Sequence, residues 1–336
     1  MFASLRAKKR ESLPDLIPLE TPFTLLIDPT NLCTLACKFC PTGDIDLLHQ
    51  FNRPQGIMDY KLFKKIIDDL RIFNSKLKKL YLYKDGEPLL NPKLVDMIRY
   101  AKNKNVAEEI RVVTNGTLLN PSINRKLIKA GLDLIQISIN AVSGEGYYKI
   151  CNRKINYEKL VENIVDLYKN RGSCQIHIKF LDCNRSDKER TKFIKDFERI
   201  STSINIETLH SWSMSTIKDF TLDTNPTATP DGVPFIDKEV CPYPFFSLAV
   251  NFNGTVSICC VDWSHSTVVG DLRKQSLHEI WTGKKLFDFR VMHLKKERYR
   301  NRACKNCQYI LIPSDYIDDK APEILQKLTK KHENCI

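Results

Sequence analysis

No run of about 18 apolar residues occurs in this chain of 336 residues, so nothing in it reads as a membrane-spanning helix. The N-terminus, MFASLRAKKRESLPDLIPLE, has no apolar core long enough for a signal peptide, and charges interrupt it. The expected location is therefore the cytoplasm, a reducing compartment. No internal repeat or low-complexity tract is found. Zinc-finger spacing of the Cys2His2 type and RNP-like aromatic motifs are missing too, so nucleic acid is not an expected partner despite a formal net charge of +12. Lys8, Lys9 and Arg10 make a short basic patch that reads as solvated surface. Against these absences stand twelve Cys, which in a reducing compartment point to metal binding or catalysis rather than disulfides.

The first two thirds of the chain alternate strand and helix. FTLLIDPT, KLYLY, IRVVTNG, LDLIQISIN, CQIHIKFL and INIETLH read as strands. The helices between them carry caps at Asp59 and Ser186 and a stop at Gly131. Leu62, Ile66 and Leu70, and again Leu160, Ile164 and Leu167, recur at helical spacing. Such alternation implies a parallel sheet with right-handed crossovers. Six strands suit an α/β partial (β/α)6 TIM-like barrel, where ligands sit at the C-terminal strand ends. The polar clusters fall there: three Cys, Asp85-Gly86-Glu87-Pro88, Thr114-Asn115-Gly116, and Ser138 to Asn140. The organisation expected is an N-terminal extension over 1–21, a barrel over 22–211, a linker over 212–240, a Cys-containing domain of hairpin plus helix over 241–312, and a tail over 313–336 with one amphipathic helix near 319–332.

CTLACKFC holds Cys33, Cys37 and Cys40 within eight residues, with Phe39 before the last. A structural zinc site takes four Cys or His ligands, and only His49 lies nearby. Three soft thiolates favour an iron–sulfur cubane with one iron left open. Further on, Cys241, Cys259, Cys260 and the CKNC pair Cys304 and Cys307 give a four-ligand signal shared by zinc and iron–sulfur. FSLAVNFNGTVSICC reads as a hairpin turning at Asn253-Gly254.

CTLACKFC resembles the CxxxCxφC motif of the radical S-adenosylmethionine (radical SAM) superfamily. The resemblance implies a SAM-binding [4Fe–4S] cluster on Cys33, Cys37 and Cys40, and production of a 5′-deoxyadenosyl radical from SAM. It extends to DGEP, similar to the family's GGE motif, with Gly86 and Glu87 matching and Asp85 in place of the first Gly, and implies that this turn binds the methionine amino group of SAM, Glu87 accepting from the ammonium. By the same resemblance Ser138 and Asn140 would contact the SAM ribose, with Phe39 and Asn115 as further cofactor candidates. C-x12-G-x4-C from Cys241 through Gly254 to Cys259, and VGDLRKQSLHEIW after it, resemble the SPASM/Twitch extension of these enzymes. The missing later Cys fit the Twitch form, with one auxiliary [4Fe–4S] cluster on Cys241, Cys259, Cys304 and Cys307. Cys260 could replace Cys259, but the spacing from Gly254 favours Cys259. Cys151, Cys174, Cys183, Cys260 and Cys335 remain as packing or unligated thiols.

In CQIHIKFL, His177 and Lys179 share a parity opposite to Ile176, Ile178 and Phe180. They are expected to face the lumen and to serve substrate binding or proton transfer. The family implies hydrogen abstraction from a small polar substrate, a sugar, aminocyclitol or nucleotide-linked alcohol, phosphorylated forms being compatible with the positive charge. Dehydrogenation leads. Epimerisation and peptide modification are the alternatives, a non-enzymatic iron–sulfur or nucleic-acid-binding protein being less favoured. An external donor such as flavodoxin or ferredoxin would supply electrons.

Overall fold

The computed structural model describes residues 11–214, 216–230 and 232–333. Lys8, Lys9, Arg10 and Cys335 lie outside the described residues. Six parallel strands form as expected: β1 (Thr24–Ile27), β2 (Leu77–Leu82), β3 (Ala107–Thr114), β4 (Leu134–Ile139), β5 (Gln175–Asp182) and β6 (Ser203–Thr208). They lie in the order β6-β5-β4-β3-β2-β1. Each strand alternates. In β4, Ile135, Ile137 and Ile139 are fully buried, while Gln136 and Ser138 on the other parity are half-buried. The apolar parity packs beneath the outer helices, where Phe63, Ile66, Met97, Leu127, Ile164 and Phe193 complete one core.

The helices start where their caps dictate. Asp59 accepts from Lys61 N and Leu62 N at the head of Tyr60–Asp69, and Ser186 with Glu189 forms a complete capping box at Asp187–Phe197. The core face of Tyr60–Asp69 is Phe63, Ile66 and Ile67; Leu62 only packs against it from the rim. The tail helix spans Ala321–Glu333 and packs with Leu13 and Ile17 of the N-terminal segment.

The hairpin does not make a sheet of its own. Its first strand, β7 (Ser247–Val250), pairs parallel with β1, Thr24 opposite Ser247 and Ile27 opposite Val250. Strands β8 (Thr255–Ser257) and β9 (Val268–Asp271) follow antiparallel, giving one nine-stranded sheet. Gly254, at φ +87°, closes the β7–β8 turn in the left-handed region that glycine enters without steric penalty. Among the described residues no helix is long and apolar enough to cross a membrane.

Candidate functional site

The loop after β1 carries the three thiols, and its backbone is held from outside. Ala36 N donates to Cys151 O at 3.0 Å and Lys38 N to Ile150 O at 2.9 Å. Both acceptors are carbonyls at the end of the helix Gly144–Cys151. Asn115 Nδ2, after β3, approaches Cys33 Sγ at 3.7 Å, and Asn140 Nδ2, after β4, approaches Cys37 Sγ at 3.7 Å. Two amide donors directed at sulfurs suit thiolate acceptors. Burial pushes the Cys33 thiol up to about 12 and raises Cys40 as well. As thiolates these groups therefore need a local positive charge, which iron supplies.

Gly86 and Glu87 lie on the same rim. A Cβ on Gly86 would stand 2.3 Å from Thr30 O and 2.4 Å from Leu32 O, so only glycine fits between DGEP and the cysteine loop. Glu87 is 1% exposed, and its carboxylate is committed. It accepts from Leu89 N at 3.0 Å, Thr114 Oγ1 at 2.7 Å and Asn115 N at 2.8 Å. Burial, partly offset by these bonds, raises its pKa to about 7. Glu87 thus ties the β2 loop to the β3 loop. Asp85 does more than alter a turn. Its carboxylate meets Lys84 Nζ at 2.5 Å, His265 Nε2 at 3.6 Å and Arg53 Nη2 at 3.8 Å. Burial opposes its charge, but Lys84 and Arg53 outweigh that and hold it below the usual carboxylate range.

A cavity of about 250 Å³ opens beside this rim. Phe39, Ser138 and Asn140 line it, and so do Cys260, Val261 and Tyr309. Lys84, Lys179, Glu207 and His210 supply charge and polarity, with Lys179 Nζ paired to Glu207 at 3.0 Å. His177 does not reach the cavity. It sits one step nearer the start of β5, and its Nδ1 is 2.8 Å from Ser203 Oγ. Lumen parity alone therefore brings Lys179 to the site and leaves His177 below it.

The four expected auxiliary thiols come together elsewhere. Cys241, Cys259, Cys304 and Cys307 line one small void, which Cys260 does not border. Burial pushes Cys241 up to about 12 and raises Cys307. Among the described residues no three Cys, His, Asp or Glu side chains converge on a single-ion position. Four thiols spread around a void suit a cluster better than one zinc. Arg298 Nη1 pins the CKNC loop, donating to Cys304 O at 2.6 Å and Cys307 O at 3.1 Å. Val261 lines both the void and the larger cavity.

The radical SAM superfamily pattern matches residues 27–194, half of the chain. The chain belongs to the radical SAM superfamily. An iron–sulfur cluster-binding domain of the SPASM type matches residues 241–308. The cofactors of this radical SAM protein are accordingly a [4Fe–4S] cluster with SAM, and auxiliary iron–sulfur in the SPASM segment. The thiols described above fit both.

Among curated proteins the chain is 34% identical over 118 residues to a tungsten-containing aldehyde ferredoxin oxidoreductase cofactor-modifying protein of Pyrococcus furiosus, covering 35% of this chain and 31% of that one. It is 30% identical over 200 residues to a probable GTP 3′,8-cyclase of Saccharolobus solfataricus, covering 57% of this chain and 56% of that one. The chain thus spans about a third and just over half of these relatives. Among solved structures, BtrN in complex with AdoMet and 2-DOIA matches with a TM-score of 0.56 at 18% identity, over 86% of this chain and 94% of that one. SuiB of Streptococcus suis bound to precursor peptide matches at 0.63 and 12% identity, over 90% and 76%. These likenesses show the shared fold.

Several site residues carry no sequence signal. Lys84, His210 and Trp212 stand singly in loops, yet all three line the cavity. Trp212 Nε1 donates to Phe39 O at 2.9 Å, so the first linker residue latches onto the cysteine loop. Arg185, after β5, buries its guanidinium behind Asn140, donating Nη2 to Asn140 O, with Nε left unpaired by protein.

Proposed function

We propose that this radical SAM protein takes a hydrogen atom from a small polar substrate and completes a dehydrogenation. The carrying observation is one cavity lined both by Phe39, Ser138 and Asn140 and by Val261, which also lines the four-thiol void. Its volume of about 250 Å³ falls just below the usual range for small-ligand sites, roughly 300–1,000 Å³. Fold does not decide this point, since the solved neighbours include one with 2-DOIA and one with a precursor peptide.

When bound, the cluster and SAM supply the 5′-deoxyadenosyl radical that abstracts hydrogen. In this reading Cys33, Cys37 and Cys40 would hold the first cluster, and Cys241, Cys259, Cys304 and Cys307 the auxiliary one, which would take up the one electron left on the substrate after loss of the hydrogen atom and the hydroxyl proton. Ser138 and Asn140 would orient SAM, and Arg185 holds the Asn140 backbone in place through its carbonyl. Gly86 permits the close approach of the loops. Glu87 and Asn115 fix them. The Lys179–Glu207 pair orients the substrate's hydroxyl or phosphate groups, while Lys84 stays paired with Asp85. His210, which lines the cavity, would receive the hydroxyl proton. Burial lowers its pKa, so it stands neutral and able to accept near pH 7. A low-potential carrier of the flavodoxin or ferredoxin kind delivers the electron.

A second reading has one observation in its favour. Cys260 lines the cavity, in the place a hydrogen-atom donor for epimerisation would need; Cys183 does not line it. Reduced protein, SAM and deuterated sugars or aminocyclitols separate the two. Dehydrogenation delivers deuterium to 5′-deoxyadenosine with one SAM consumed per ketone formed, and Cys304→Ala keeps SAM cleavage while forming little ketone. An isomer that has gained one solvent hydrogen, and is lost in Cys260→Ala, overturns dehydrogenation in favour of epimerisation. A modified peptide with no small-molecule product overturns both.

A further inference from the structure

The wall of the four-thiol void contains one polar side chain that the protein leaves unsatisfied. Ser213 Oγ donates to Val261 O at 2.6 Å. Thr267 Oγ1 donates to Asp262 Oδ2 at 2.7 Å, and Asp262 also accepts from Thr267 N and Ser266 N. Arg298 is committed to the carbonyls of Cys304 and Cys307. His293 alone remains. It is 1% exposed, lines the void, and neither Nδ1 nor Nε2 has a hydrogen-bond partner. Phe289 stacks on its ring with centroids 5.4 Å apart, which fixes the imidazole plane.

A buried donor without a partner is destabilising, and imidazole carries at least one N–H in either tautomer. The remaining contents of the void are the thiols and whatever they hold. We infer that His293 is a positioning residue of the auxiliary cluster, donating an N–H hydrogen bond to one of its sulfurs without ligating iron. An N–H dipole directed at a cluster sulfur stabilises the extra negative charge of the reduced state and so raises the reduction potential. His293 and Arg298 then make the auxiliary cluster a better electron acceptor than its four thiolates alone would. The inference rests on the assignment of Cys241, Cys259, Cys304 and Cys307 to that cluster.

The test uses the full chain with Cys33, Cys37 and Cys40 replaced by Ala, so that only the auxiliary cluster contributes. Iron content and an EPR-monitored redox titration are recorded for this parent and for His293→Phe and His293→Gln in the same background. The expected result is about four irons in all three. His293→Phe shifts to lower potential, and His293→Gln, which keeps an N–H donor, lies between. An unchanged potential in both variants, or strong nitrogen hyperfine coupling marking direct ligation in the parent, overturns the inference. A parent without iron overturns instead the cluster assignment it rests on.

Discussion

Cys259 and Cys260 are neighbours in sequence with opposite surroundings. Cys259 borders the four-thiol void, and Cys260 borders the larger cavity. The distinction predicts metal content. Anaerobically reconstituted protein should hold about eight irons, two cubanes' worth. Cys33→Ala/Cys37→Ala/Cys40→Ala should leave about four, Cys259→Ala should lose the auxiliary set, and Cys260→Ala should keep all eight. Iron lost in Cys260→Ala but retained in Cys259→Ala would reverse the assignment. A second residue-scale prediction concerns Asp28. It is fully buried, and both its carboxylate oxygens lack partners. Burial first, then the charge of Asp85, raises its pKa to about 7 from 3.8. A raised carboxyl favours folding below the unfolded pKa, and that contribution is lost as pH climbs through the folded value. Asp28→Asn should therefore gain on the wild type between about pH 4 and 7, seen as a growing difference in Tm that levels off above. A difference independent of pH would show that Asp28 does not titrate in this range.

The turn between β7 and β8 tests the account at the level of elements. Gly254 sits at φ +87°, and a Cβ there would also press to 3.1 Å from Leu62 Cδ2. Gly254→Ala should cost roughly 1 kcal/mol or more, read from chemical unfolding, with iron content unchanged. Elements with strict periodicity were legible in the sequence: the six strands, the helices Tyr60–Asp69, Leu94–Lys104, Pro121–Lys129, Tyr157–Lys169 and Asp187–Phe197, and the β7–β8 turn follow from period and caps. The helix Gly144–Cys151 was not, because GEGYYKIC places two poor helix formers in its first turn. It forms through the Ser143 cap, which accepts from Gly146 N at 3.0 Å. Nor was the pairing of β7 with β1 legible, since parallel register between distant segments leaves no local mark. That pairing joins the barrel sheet and the SPASM hairpin in one sheet.

At the scale of the whole molecule, motif residues announced the two thiol groups, while the cavity between them had to be seen. Cys33, Cys37, Cys40, Asn115 and Asn140 are close neighbours in the fold, as their places at strand ends imply. Lys84, Arg185, His210, Trp212 and His293 carry no motif; each matters through what folding places beside it. His177 shows the converse, since it shares the parity of Lys179 but lies nearer the start of β5 and outside the cavity lining. The central claim is that these loops assemble a SAM-cleaving centre independent of the auxiliary thiols. It is tested most directly by quantifying 5′-deoxyadenosine from SAM with anaerobically reduced protein. The account predicts formation by the wild type and by Cys304→Ala, and none by Cys37→Ala. No 5′-deoxyadenosine from iron-loaded wild type, or equal amounts from Cys37→Ala, would contradict it.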